Sequence, residues 1–218
     1  MKDYGPILKA VETVILALPR HKLRSKSNKK LKALNSAILT CLDTKAKLAK
    51  HSVPEIVCLF DASLFCLLFD ADLTVLCRDM SCRSNWWESR LYARLLAMTM
   101  LECVEDVPQV LGKSFRNALN KLAPQSQHLT ALCTVSKTLS DFRKNHEGRL
   151  RPIRQIMAAH RDHDPNLIVS SVTNLDLGAL IKLAGDLNDA LSKFSEIMSN
   201  VISDLDVFKE IFRSMAKK

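Results

Sequence analysis

Glycine and proline are scarce in this chain, with five glycines and seven prolines among 218 residues. Sandwiches and barrels need turn residues about every eight to twelve positions, so this scarcity argues against an all-β fold. Aromatic residues are also few, at 6% of the sequence, whereas hydrophobic residues of all kinds reach 47%. Such a composition is typical of long helices. We therefore predict an all-α bundle of about six or seven helices.

Long apolar runs without charge are absent. The most apolar stretch, residues 56–73, contains Asp61, Asp70 and Asp72, which is too much charge for a membrane span of ~20 residues. The first residues of the chain lack the apolar core and the small-residue cleavage site of a signal peptide. We expect no membrane partner.

Paired metal-binding or redox cysteines are missing too. The seven cysteines form no C-x-x-C spacing and lie mostly among apolar neighbours, as buried thiols do in a reducing compartment. A glycine-rich phosphate loop and a G-x-S-x-G elbow are likewise absent. We predict a cytoplasmic protein without a cofactor. The chain is instead rich in positive charge: 32 Lys/Arg against 23 Asp/Glu give a formal net charge of +9, which attracts polyanions such as nucleic acid.

Hydrophobic periodicity and capping residues divide the chain into helical segments. Pro19 is expected to close a first segment that begins near residue 4. Residues 20–32, with seven Lys/Arg and no acid, are expected to form a solvated basic loop or helix start. Further helices are predicted over residues 29–50, 55–69, 86–107, 113–122 and 126–160. A polar connector over 78–85 should end in Asn85 as a helix N-cap.

The later segments follow the same logic. Pro152 is expected to kink the helix that begins near residue 126 or to start a new turn. Residues 167–172 are expected to be extended, and Asn174 or Asp176 to cap a final long helix that runs past residue 201. Residues 205–215 are also predicted to be helical. We expect one helical domain over residues 1–218, with N-terminal helices over 1–84 and a core over 85–200.

The helix that begins after Asn85 has a predicted core-facing stripe at helical spacing. Its members are Trp87, Leu91, Leu95, Met98, Leu101 and Val104. Arg90 and Arg94 lie one turn apart on the same helix and are expected to face solvent.

Residues 149–164 combine a basic amphipathic segment with a cluster of histidines and aspartates. Within it, Arg154 and His160 are separated by five residues. A guanidinium can hold a phosphate and stabilise developing negative charge, and an imidazole can move a proton near neutral pH. The pair therefore suffices for metal-independent RNA cleavage, in which the 2′-hydroxyl is the internal nucleophile.

The string Arg154-Gln-Ile-Met-Ala-Ala-His160, continued by Arg161 and Asp162, resembles the motif of the HEPN superfamily, an arginine followed after about four to six residues by a histidine. The Ala-His-Arg-Asp ending is most similar to the abortive-infection branch. The resemblance covers about residues 85–200 and is sharp over 150–164.

The resemblance implies a HEPN-like bundle that forms a homodimer, so that two motifs meet in one cleft. It implies a metal-independent endoribonuclease or RNA-binding protein of a defence or toxin-antitoxin system, with a cognate antitoxin as a further partner. Arg154 and His160 would be catalytic. Arg149, Arg151, Gln155 and Arg161 would contact RNA.

Two other interpretations of this segment stay open. Its cations can simply stabilise a helix C-terminus, where they complement the helix dipole. The same fold can also serve as a non-catalytic interaction module with a degenerate site. Gln155 stands where many active members have Asn or Asp, and six residues on a regular helix place Arg154 and His160 about 120° apart.

A metal site is a weaker alternative for the same residues. His160, Asp162, His163 and Asp164 are potential ligands within five positions. Pro165 follows them directly, and no spacing recommends further ligands from other helices. We predict no metal.

Overall fold

The computed structural model describes residues 5–49, 54–83, 85–123, 126–158 and 165–205, and these residues form seven helices and no strands. The prediction of an all-α bundle is therefore confirmed. The helices are α1 (Gly5–Ala49), α2 (Pro54–Cys82), α3 (Trp86–Val110), α4 (Lys113–Leu122), α5 (Ser126–Ala158), α6 (Pro165–Thr173) and α7 (Leu177–Asp204).

Helix α1 continues through Pro19 and through the basic segment. The predictions of a helix end at Pro19 and of a basic loop or helix start over residues 20–32 are thus wrong, because these residues lie in the interior of α1. Lysine and arginine are good helix formers, and contacts with α2 hold this part of α1 in place. Lys30 Nζ lies 2.6 Å from Oδ1 of Asp70, whose side chain is only 3% exposed. Arg78 donates to Oδ1 of Asn28 at 2.9 Å.

Helix α2 begins at Pro54, one residue before the predicted start, but it ends at Cys82 rather than near residue 69. Asp70 interrupts the apolar pattern, which made the helix look shorter than it is. Beyond it, Leu73 and Met80 are buried and continue the core-facing side. Burial raises the pKa of Asp70, although the hydrogen bond with Lys30 acts in the opposite direction.

Helix α3 begins at the predicted cap, because Oδ1 of Asn85 accepts a hydrogen bond from the backbone N–H of Trp87 at 2.8 Å. The helix includes Pro108 and ends three residues later than expected. Gly112 then separates α3 from α4, which spans the predicted residues. A Cβ at Gly112 would lie 2.7 Å from the carbonyl oxygen of Gln109, so the tight turn between the two helices requires glycine.

Helix α5 passes through Gly148 and Pro152 without interruption as far as Ala158. Residues 167–172, which were expected to be extended, belong to helix α6. Of the two expected caps for α7, Asp176 is the one used: its Oδ1 accepts from the backbone N–H of Ala179 at 3.0 Å. The predicted helix over residues 205–215 lies outside the described residues except for its first position.

The buried face of α3 differs from the predicted stripe. Leu101 and Val104 are buried as expected, but Trp87 and Leu91 are exposed. The observed core face includes the small residues Ser89, Ala93 and Ala97 together with Leu96 and Met100. Small side chains at four-residue spacing let neighbouring helices approach closely, and this face therefore packs inward while the larger tryptophan points outward.

Helix α2 packs against α1, α3, α4 and α7, and α5 packs against α3 and α7. One cluster of buried apolar side chains extends from Leu48 to Leu205 and includes residues on both sides of position 84. Helices α5 and α7 run antiparallel, since His128 near the start of α5 contacts Asp204 at the end of α7. None of the described helices combines the length and the apolar character that crossing a membrane requires.

Candidate functional site

Arg151 and Arg154, two residues of the predicted site, converge on one carboxylate of α3. Arg154 Nη1 donates to Glu105 Oε2 at 2.8 Å, and Arg151 Nη2 donates to Glu105 Oε1 at 3.1 Å. The Glu105 side chain is 21% exposed, whereas those of Arg154 and Arg151 are 38% and 45% exposed. The two guanidinium groups thus lie side by side at the surface between α3 and α5.

A second carboxylate extends this cluster along α5. Glu147 accepts from Arg143 Nε at 3.0 Å and also binds Arg151 one turn further on. The hydrogen bonds from Arg151 and Arg143 lower the pKa of Glu147, and the bond with Glu147 raises the pKa of Arg151. Arg151 is therefore shared between two carboxylates, which keeps its side chain in a defined orientation.

Arg149, predicted to contact RNA together with Arg151, points to a different helix. Its Nη2 atom lies 3.8 Å from Oδ2 of Asp176, the N-cap of α7. Arg151 and Arg154 contact α3 instead, so the structure brings these two together and leaves Arg149 on the other flank of α5. Gln155 is exposed on the last turn of α5 described.

The predicted catalytic histidine and its neighbours cannot be placed against this cluster. His160 and Arg161 lie outside the described residues, as do Asp162, His163 and Asp164, the residues of the metal alternative. Within the described ranges, no group of three or more histidine, cysteine, aspartate or glutamate side chains has the arrangement to hold a metal ion.

The partner of the two arginines, Glu105, was missed by the sequence analysis. It precedes Arg154 by 49 positions, and a long-range ion pair of this kind leaves no local signal. Arg90 and Arg94 also differ from expectation, because both are half-buried rather than open to solvent. Arg90 donates through Nη1 to the backbone oxygen of Leu175, next to the cap of α7.

Two exposed aromatic side chains lie at the start of α3. The rings of Trp86 and Trp87 pack edge to face, with centroids 4.7 Å apart and an interplanar angle of 85°. The Arg90 guanidinium lies 5.1 Å from the Trp86 ring centroid, within the range of a cation–π contact. Both tryptophans remain largely accessible, at 45% and 57% exposure.

A buried histidine forms another contact that sequence spacing did not reveal. His128 Nε2 lies 3.1 Å from Asp204 Oδ2, and the histidine is 6% exposed. The pair joins the first turn of α5 to the last turn of α7. Its position at the ends of two packed helices indicates a structural role.

A groove of about 540 Å³ lies between α1, α2 and α7. Its described lining consists mostly of serines, alanines and aliphatic side chains and includes neither an ionised group nor a histidine. The groove thus offers no acid–base chemistry. The cluster around Glu105 remains the better candidate site.

No protein-family model matches this chain, and no curated protein or solved structure is significantly similar to it.

Proposed function

We propose that this protein binds single-stranded RNA and cleaves it without a metal, as a HEPN-type endoribonuclease. The observation that supports the proposal is the convergence of Arg151 and Arg154 on Glu105 at a partly exposed surface. Two guanidinium groups held side by side present several N–H donors to one phosphate, the geometry in which arginine binds phosphate best.

In this proposal Arg154 binds the scissile phosphate and stabilises the charge that develops on it. His160 transfers the proton between the 2′-hydroxyl and the leaving oxygen. Arg151 supports Arg154, while Arg149, Gln155 and Arg161 contact RNA on either side. Activity in the cytoplasm, within a defence or toxin-antitoxin system and under control of a cognate antitoxin, belongs to the same proposal.

The catalytic assignment is tested by cleavage of single-stranded RNA in the presence of EDTA. Arg154→Ala and His160→Ala should each lose activity and keep the helical circular dichroism spectrum of the parent protein. Arg116→Ala on α4 and His21→Ala on α1 are matched controls, because both side chains are exposed and lie on other helices. Cleavage that persists in both site variants refutes the assignment. Cleavage that EDTA abolishes points to a metal enzyme instead.

The proposed homodimer has a test of its own. If Arg154 of one chain works with His160 of the other, the two inactive variants should restore part of the activity when they are mixed. Light scattering during size-exclusion chromatography should then give twice the chain mass of 24.5 kDa. A monomer at the concentrations of the cleavage assay would contradict the shared cleft.

A non-catalytic interaction module is the second candidate, and one observation favours it. Glu105 and Glu147 already neutralise much of the charge of Arg151 and Arg154, as expected for side chains that tie α3 to α5. RNA binding without any cleavage, unchanged by His160→Ala, would support this alternative and refute the ribonuclease.

A further inference from the structure

The solvent-facing side of α3 carries an aromatic end and a charged end. Trp87 lies in its first turn, and Glu105 lies 18 residues later. At 100° per residue these 18 residues make five complete turns, so the two side chains share one face, about 27 Å apart along the axis. The exposed aromatic pair and the Arg151–Arg154 pair are therefore the two ends of a single surface.

Cationic side chains lie between these ends. Arg90 and Arg94 follow Trp87 at three and seven positions, which places them on the flank of the same face. Arg90 reaches the start of α7, whereas the buried Nε atom of Arg94 makes no hydrogen bond with the residues that the structure describes. Both arginine side chains are half-buried and supply positive charge along this flank of α3.

We propose that this face of α3 is a track for single-stranded RNA. A base stacks on the indole of Trp87, and the phosphates of the following nucleotides run past Arg90 and Arg94 to Arg151 and Arg154. The inference rests on the proposed function, since it supplies the path by which RNA reaches the same site. Aromatic platforms next to cationic side chains are the usual means of binding single strands without sequence preference.

The shape and charge of the patch favour RNA over a protein or a membrane. Trp86 packs its ring against Trp87 and is covered by the Arg90 guanidinium, so the more exposed Trp87 is the ring left to stack. Arg90, Arg94 and the Arg151–Arg154 pair are spread over about 22 Å of the α3 axis, which fits a repeating phosphate backbone better than a single apolar contact.

Intrinsic fluorescence gives a direct test, because Trp86 and Trp87 are the only tryptophans of the chain. Titration with a twelve-nucleotide oligouridylate should quench the fluorescence as a base stacks on the ring. The rise of about 3.4 Å per nucleotide means that about eight nucleotides span the track. A four-nucleotide oligomer should therefore bind at least ten-fold more weakly than the twelve-nucleotide one. Reactions are kept on ice in the His160→Ala background to prevent cleavage.

Substitutions locate the contact. Trp87→Ala should weaken binding of the twelve-nucleotide RNA about ten-fold or more, and Trp87→Phe should restore part of the loss. Leu68→Ala is the matched control: Leu68 is 51% exposed on α2, and its removal should leave affinity unchanged. Circular dichroism verifies that each variant is folded.

The outcomes separate this inference from the proposed function. RNA binding that depends on Arg154 but neither quenches tryptophan nor weakens in Trp87→Ala refutes the track and leaves the ribonuclease standing. Quenching that depends on Trp87, without any cleavage by the parent protein, supports the track and refutes the ribonuclease. Absence of RNA binding refutes both, and a fluorescence change with phosphatidylserine vesicles alone identifies a membrane surface instead.

Discussion

Replacement of Glu105 by glutamine tests whether Arg151 and Arg154 bind phosphate or only hold α3 against α5. Glutamine keeps the size of the side chain and removes the charge that holds Arg151 and Arg154. If these arginines bind RNA, Glu105 competes with phosphate in the free protein, and Glu105→Gln should bind RNA more tightly. If they only join α3 to α5, the substitution should weaken the fold without raising the affinity for RNA.

The expected size of the effect follows from the two ion pairs. Arg154 loses its partner, whereas Arg151 stays paired with Glu147. The release of one guanidinium for a phosphate contact raises the salt slope for a single strand by up to about 0.7, which corresponds to about 5-fold in affinity between 1 M and 0.1 M salt. Partly exposed ion pairs contribute about 0.2–1 kcal/mol each. The free energy of unfolding should therefore fall by about 1 kcal/mol, and Tm by about 2–4 °C.

Fluorescence anisotropy of a labelled RNA at several salt concentrations measures the affinity and its slope. Glu196→Gln is the matched control, because it makes the same change in net charge at an exposed position of α7. An affinity gain in Glu105→Gln no larger than that in Glu196→Gln would refute the idea that Glu105 competes with phosphate. A loss of stability alone would assign the arginines to the fold.

Three further predictions concern the fold. Burial raises the pKa of Asp70 above its ordinary value of about 4, so the native state favours the protonated carboxyl. The unfolding free energy of the parent protein relative to Asp70→Asn, measured by urea titration, should therefore be highest below about pH 4 and fall as the pH rises above it. Asp176→Ala should cost about 1 kcal/mol in the same assay because it removes the cap of α7, and Asn174→Ala, the alternative cap, should cost little. Alkylation of the native protein should modify the exposed Cys133 before the buried Cys66, whose pKa burial raises; equal rates would contradict the described packing.

Helix starts could be predicted from the sequence because capping is local chemistry. Asn85 and Asp176, two of the residues expected to cap helices, do so in the structure. Helix continuity could not be predicted in the same way. Residues 20–32 remain helical where Lys30 meets Asp70, and that partner lies 40 positions away on another helix.

At the candidate site, too, local features could be predicted from the sequence and contacts between distant residues could not. The motif singled out Arg154, and the segment around it is basic and helical up to Ala158, as expected. The sequence could not reveal that Glu105 would hold Arg154, nor that Arg149 would turn to Asp176, because both depend on how α3 and α7 pack against α5. The outward position of Trp87 has the same origin, since neighbouring helices select which apolar residues are buried.

The long helix α1 rests mainly on α2. Among its described side chains, only Leu34 and Leu48 are buried, whereas α3 is covered by several helices. Elements with few buried contacts open at a lower free energy than the core. In hydrogen exchange, the amides of residues 20–47 should therefore exchange together as one early unit while those of residues 96–107 stay protected, so that the most basic helix opens before the core does.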